Sequence, residues 1–107
     1  MTNQDLKIII QAIQERKSIS FEYNKPDKII GTRVGNPYVI YSDETETCRY
    51  LDLYQTNGVS DSQFETLHWV TLDTDFIANV VLQDTTFHPI EDYRRYAKRF
   101  MIAYIKI

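Results

Sequence analysis

Residues 33–56 read RVGNPYVIYSDETETCRYLDLYQT, two apolar, aromatic-rich runs around an acidic, threonine-rich middle. Tyr38-Val39-Ile40-Tyr41 is the first run and Tyr50-Leu51-Asp52-Leu53-Tyr54 the second. Between them, Ser42 to Cys48 holds nothing that must be buried, so the stretch predicts a β-hairpin with a loop longer than a tight turn. Alternation sends Leu51 and Leu53 to one face and Tyr50, Asp52 and Tyr54 to the other. The stretch carries no nucleophile–base pair and no metal-spaced ligands.

On the N-terminal side, residues 3–17 predict a helix. Leu6, Ile9, Ile10 and Ile13 follow i, i+3, i+4, i+7 and form one apolar stripe, expected to cover a sheet. Thr2 or Asn3 is placed to cap the start, and Asp5 suits the positive end of the dipole. Ser18–Tyr23 alternates, with Ile19, Phe21 and Tyr23 on the inner side. Asn24-Lys25-Pro26-Asp27 is turn chemistry. Residues 28–34 predict a second strand, ended by Gly35-Asn36-Pro37, and the hairpin supplies the third and fourth.

Beyond the hairpin, Asn57 to Ser62 is polar and turn-prone. Residues 67–72 predict a fifth strand, with His68, Val70 and Leu72 on one side and Trp69 and Thr71 on the other. Phe76–Leu82 reads as a helical turn and then an extended segment over 79–82. Ile90, Tyr93, Ala97, Phe100 and Tyr104 recur at helical spacing, which predicts a C-terminal helix after Pro89. For residues 101–107 a terminal strand is an equal reading. It would add to another subunit's open edge or pair within its own sheet.

At 107 residues the chain is expected to form one domain, with 43% hydrophobic residues, 13% aromatic residues and a net charge of −3. The charge is uneven: residues 90–107 carry +3 and the rest −6. Acidic balance argues against nucleic-acid or anionic-membrane attraction by the whole molecule. Cys48 is the single cysteine, which fits a reducing cytoplasm. No leader pattern and no membrane-length apolar run is present.

Taken in order, these residues resemble the WYL domain, a bacterial module named for a Trp-Tyr-Leu triplet. The resemblance rests on Ile19-Ser-Phe21-Glu-Tyr23, Arg33-Val34-Gly-Asn-Pro37, Arg49-Tyr50-Leu51, Leu72-Asp73, Ile77, Val80-Val81-Leu82 and Phe87-His-Pro89. It covers most of residues 6–89, leaving 90–107 as a C-terminal helix or tail. It implies an α+β fold: an N-terminal helix on a small, strongly curved, five-stranded antiparallel sheet or Sm-like barrel, with a C-terminal helix. It also implies a non-enzymatic regulatory role and binding of a nucleotide or nucleic-acid effector. Such domains usually follow a DNA-binding helix-turn-helix, for which the residues ahead of residue 6 leave no room. Two departures are plain. Arg49 stands where the family has its Trp, and the arginines of an Arg-rich segment are neutral or acidic across Trp69–Ile77. Arg33 is retained, so an anionic ligand is expected to meet fewer cations than in a typical member.

Arg33, Arg49, Tyr50, Tyr54 and Trp69 are the candidate ligand face, with rings to stack on a base and guanidinium groups for phosphate. The plainer expectation is that these rings cover a small core, with the arginines at strand ends. Arg94, Arg95, Lys98 and Arg99 form a basic patch for weak single-stranded nucleic-acid contact, with a solvated helix face as the plainer expectation. The acidic run at 43–46 reads as a solvated hairpin tip. His68 and His88 lack metal-ligand spacing, and no cofactor or metal is expected. The rival reading is a protein–protein or self-assembling subunit, a homodimer through the apolar C-terminal tail.

Overall fold

The computed structural model describes residues 1–42, 45, 47–60 and 68–90, together with the backbone of 103–106. Helix α1 spans Asn3–Glu15. Thr2 caps it: its hydroxyl accepts the Asp5 N–H, and the Asp5 carboxylate accepts the Thr2 N–H in return. Together they satisfy two of the donors a helix start leaves open. The helix stops two residues short of the expected end. Arg16 turns into the left-handed region (φ 56°), and its N–H closes on the Ala12 carbonyl.

Six strands follow: β1 (Lys17–Tyr23), β2 (Gly31–Ser42), β3 (Arg49–Gly58), β4 (His68–Asp73), β5 (Ile77–Thr86) and β6 (Ala103–Lys106). A short 3-10 turn, Thr74–Phe76, links β4 to β5. All pairings are antiparallel, and the main path runs β4-β3-β2-β1-β5. The two ends of that path are not paired with each other among the described residues, so the sheet is open. β3 lies along β2 from Arg33 to Ser42. That leaves the other edge of β2 to be shared end to end by β1, opposite 31–35, and β6, opposite 39–41.

The expected strands at 28–34 and 38–41 are one strand. Gly35-Asn36-Pro37 does not break it, because the register changes there instead. Pro37 pairs with Leu53 while Val39 pairs with Asp52, so Tyr38 is the extra residue of a bulge. Pro37 also falls after the β1 pairing has ended at Gly35 and before that of β6 begins at Val39. A missing N–H costs little in such a gap. Gly35 is needed for a different reason: a Cβ there would collide with the Leu53 side chain and the Tyr54 carbonyl.

The sheet separates two clusters. On the helix side, Ile9, Ala12 and Ile13 of α1 meet Ile19, Phe21, Tyr23, Ile40, Leu51, Leu53, Leu72, Ile77 and Val80. Ile10, expected in the stripe, is only half-buried, and Asp5 takes an inward position instead. The helix is rotated so that the Asp5 carboxylate reaches the Val80 N–H of β5 at 3.1 Å. On the opposite face, Tyr38, Val39 and Tyr41 are buried with Tyr50, Tyr54, Trp69, Phe87 and Ile90 packed around them. The bulge explains why the consecutive residues Tyr38 and Val39 both lie there.

The alternation expected in β3 and β4 holds. The helical turn expected from Phe76 lies earlier, at Thr74–Phe76, and β5 starts at Ile77 rather than Asn79. β3 continues to Gly58, into the stretch expected as loop. Most of the C-terminal helix expected over 90–107 lies outside the described residues, as do Arg94, Arg95, Lys98 and Arg99. Residues 103–106 are extended and pair with β2 of the same chain, so a helix does not run to the end. No described helix is long and apolar enough to cross a membrane.

Candidate functional site

The five residues expected to share one ligand face are divided by the sheet. Tyr50, Tyr54 and Trp69 lie together on the face away from α1. Tyr54 and Trp69 are register partners with rings 5.4 Å apart, edge to face. Tyr38 meets Trp69 at 4.7 Å and Phe87 at 5.3 Å. These contacts are the ring geometry of a packed cluster. Tyr38 is fully buried and its hydroxyl accepts the Ile90 N–H at 2.9 Å. Burial, with the Tyr54 hydroxyl nearby, raises its phenol above the ordinary value although the Ile90 N–H pulls the other way.

Asp52 sits in this aromatic face, as the alternation requires. Its Oδ1 accepts the Thr71 hydroxyl at 2.9 Å and the Tyr41 hydroxyl at 3.2 Å. A buried carboxylate is an unfavourable neighbour for a phosphate, so the tyrosine-lined face is not where an anionic group is best received.

Arg33 is on the other side. It is directly opposite Phe21 in the β1–β2 ladder and has no exposed surface. Its guanidinium lies 5.2 Å from the centre of the Tyr23 ring, a cation–π distance. Nη1 donates to Gln55 Oε1 at 3.3 Å and Nη2 to the Ile29 carbonyl at 3.2 Å. Gln55 in turn donates to the Val59 carbonyl at 2.7 Å. Arg33 and Gln55 therefore tie the β1–β2 connection to the chain beyond β3. Gly58 makes the close approach feasible: it has φ 93°, and a Cβ would run into Thr32 and the Arg33 backbone.

Two further residues complete this end of the sheet. His68 is the register partner of Gln55, and its Nε2 lies 3.2 Å from the Ser60 hydroxyl. Neither Gln55, Ser60 nor His68 stood out as a site residue in the sequence. The available signal was the parity of β3 and β4, which puts Gln55 and His68 on the side of Leu53 and Leu72.

Arg49 is exposed at the opposite end, where its carbonyl accepts the Thr74 hydroxyl at 3.1 Å. It lines a polar cavity of about 320 Å³ with Thr2, Leu6, Thr47, Thr74 and Asp75. Parity in β3 already sets Arg49 beside Leu51 rather than beside Tyr50. No group of three or more His, Cys, Asp or Glu side chains among the described residues is arranged to hold a metal ion.

In comparisons with known proteins, no family model, no curated protein and no solved structure matched the chain.

Proposed function

We propose that the chain is a WYL-like regulatory or ligand-binding module, non-enzymatic and cytoplasmic, that senses a nucleotide or nucleic-acid effector. In this reading the helix-covered sheet is the body of an Sm-like barrel, and residues 91–102 carry the C-terminal helix. The observation that supports it is the architecture: a capped N-terminal helix covers one face of an antiparallel sheet, the arrangement the resemblance implies.

The test is native mass spectrometry of the intact chain with mononucleotides, dinucleotides and short single-stranded oligonucleotides. The expected result is a bound adduct of defined mass. Absence of any adduct across the panel sinks the reading. If the basic patch at Arg94, Arg95, Lys98 and Arg99 carries oligonucleotide binding, affinity falls with salt on a log–log slope no steeper than about −3.

The self-associating reading rests on β6. In the single chain that strand lies on β2, so a homodimer through the tail would exchange it between two copies. Light scattering of the full chain and of a chain lacking residues 101–107 separates the two: a dimer that becomes a folded monomer supports exchange.

A further inference from the structure

Asn57 and Gly58 end β3, and both are exposed. The Gly58 N–H donates to the side-chain carbonyl oxygen Oδ1 of Asn57 at 2.8 Å. Cγ of Asn57 is one bond from that oxygen, so the Gly58 nitrogen already lies beside the carbon of a carboxamide. The β2–β3 ladder leaves this N–H available: Arg33 is opposite Gly58, and the Val59 N–H donates to the Thr32 carbonyl at 3.0 Å. That pattern makes Arg33 and Gly58 a non-hydrogen-bonded pair and turns the Gly58 N–H away from β2. Residue 58 brings no side chain to obstruct the approach. The other asparagines are set differently. Asn36 precedes Pro37, which lacks an N–H. Asn79 precedes the β-branched Val80, and its side-chain amide donates to Glu22 at 2.6 Å. Asn3 and Asn24 are followed by the long side chains of Gln4 and Lys25.

We propose that Asn57 is a site of spontaneous deamidation and backbone isomerisation, with the Gly58 nitrogen as nucleophile and water as the co-reactant. The Gly58 amide gives its proton to solvent hydroxide, and its nitrogen forms a bond to Cγ of Asn57. The Cγ–Nδ2 bond breaks, and Nδ2 leaves as ammonia after taking a proton from water. Water then opens the resulting five-membered imide at either carbonyl. Opening at Cγ gives aspartate. Opening at the main-chain carbonyl gives isoaspartate, in which the chain runs through the side chain and is longer by a methylene. Nothing is oxidised or reduced. Aspartate adds a charge at an exposed position. Isoaspartate does more, because Gly58 passes so close to Thr32 and Arg33 that a Cβ would collide with both. A longer backbone there moves Val59 out of register with the Thr32 carbonyl and the Gln55 side-chain amide. The tie between Arg33 and the chain beyond β3 is loosened as the protein ages.

The experiment ages the full chain in buffer, with and without urea. Each asparagine is followed by peptide mapping, with fragmentation that separates aspartate from isoaspartate. In the folded chain Asn57 should convert at least about tenfold faster than Asn3, Asn24 or Asn79, because its reacting atoms are already together. Its folded rate should also lie within about tenfold of its rate in urea. Conversion no faster than at the other asparagines, or stronger suppression by folding, would mean that the ladder holds the atoms apart, and the site is wrong. Both products should form. Aspartate alone would mean direct hydrolysis without the Gly58 nitrogen, which overturns the mechanism. Urea melts of the aged chain against Asn57→Asp, which carries the charge on an unaltered backbone, read the structural consequence. The isoaspartate form should unfold at lower urea than Asn57→Asp. Identical melts would show that the end of β3 absorbs the extra methylene, and the loosening is refuted.

Discussion

The carboxylate of Asp5 accepts the backbone N–H of Val80 at 3.1 Å, joining the first turn of the helix to a strand 75 positions later. The other carboxylate oxygen accepts the Thr2 N–H at 3.2 Å. Burial alone would push this carboxyl up, but the hydrogen bonds from Thr2 and Val80 outweigh it and hold the group below the ordinary aspartate value. A carboxyl whose folded pKa is depressed adds stability that is complete above its unfolded pKa of about 4 and is lost as pH falls through the folded value. Asp5→Ala should cost about 1–3 kcal/mol near neutrality. Asp5→Asn should flatten the acid limb of the stability curve. Urea melts across the acid range check both, and an Asp5→Ala protein as stable as wild type would remove the anchor from the account.

Neighbouring isoleucines in α1 should differ sharply. Ile9 is fully buried and Ile10 half-buried. Ile9→Ala should destabilise by about 2–5 kcal/mol, and Ile10→Ala by about 1 kcal/mol or less. Equal losses in denaturant titrations would mean the helix sits in a different rotation.

Gly35→Ala should be harmful without any change of polarity. The added methyl meets Leu53 and the Tyr54 carbonyl between two hydrogen-bonded strands. An overpacking cost of about 1–3 kcal/mol is expected. A compensating Leu53→Val in the same chain should recover part of it, a coupling that separate thermal melts will reveal.

On the opposite face, Tyr41 and Thr71 both donate to one oxygen of Asp52. Tyr41→Phe and Thr71→Val should each cost about 0.5–1.5 kcal/mol, the usual net contribution of one hydrogen bond. The double variant should deviate from additivity, because either hydroxyl alone partly satisfies that oxygen. Strict additivity would argue that the two donors act on independent acceptors.

Much of this fold was legible because burial imposes a period. α1, β1 and the inward and outward sides of β3 and β4 follow from 3.6- and 2-residue repeats that a one-sided sheet enforces. Gly35-Asn36-Pro37 misled because a strand end and a bulge share the same residues. What separates them is whether neighbouring strands leave a gap in the ladder, which is a fact about β1 and β6 rather than about positions 35–37. The ligand face was only half legible. Tyr50, Tyr54 and Trp69 gather as their alternation requires, whereas Arg33 and Arg49 were grouped with them by chemistry and not by parity. At the Arg33–Gln55–His68 end, parity puts Gln55 and His68 on the side of Leu53 and Leu72, but nothing periodic brings Arg33 to Gln55.

The shared edge of β2 also bears on how the chain is made. Residues 31–35 find β1 close by in the chain, from Tyr23 opposite Gly31 to Ile19 opposite Gly35, but Val39–Tyr41 are matched by Lys106–Ala103. While the nascent chain is still emerging from the ribosome, the edge of that half of β2 away from β3 has no partner from its own sequence. An unmatched strand edge rich in Val, Ile and Tyr is a template for another molecule's strand. Premature termination near residue 90 would therefore do more than shorten the protein: it would release a fragment that invites aggregation.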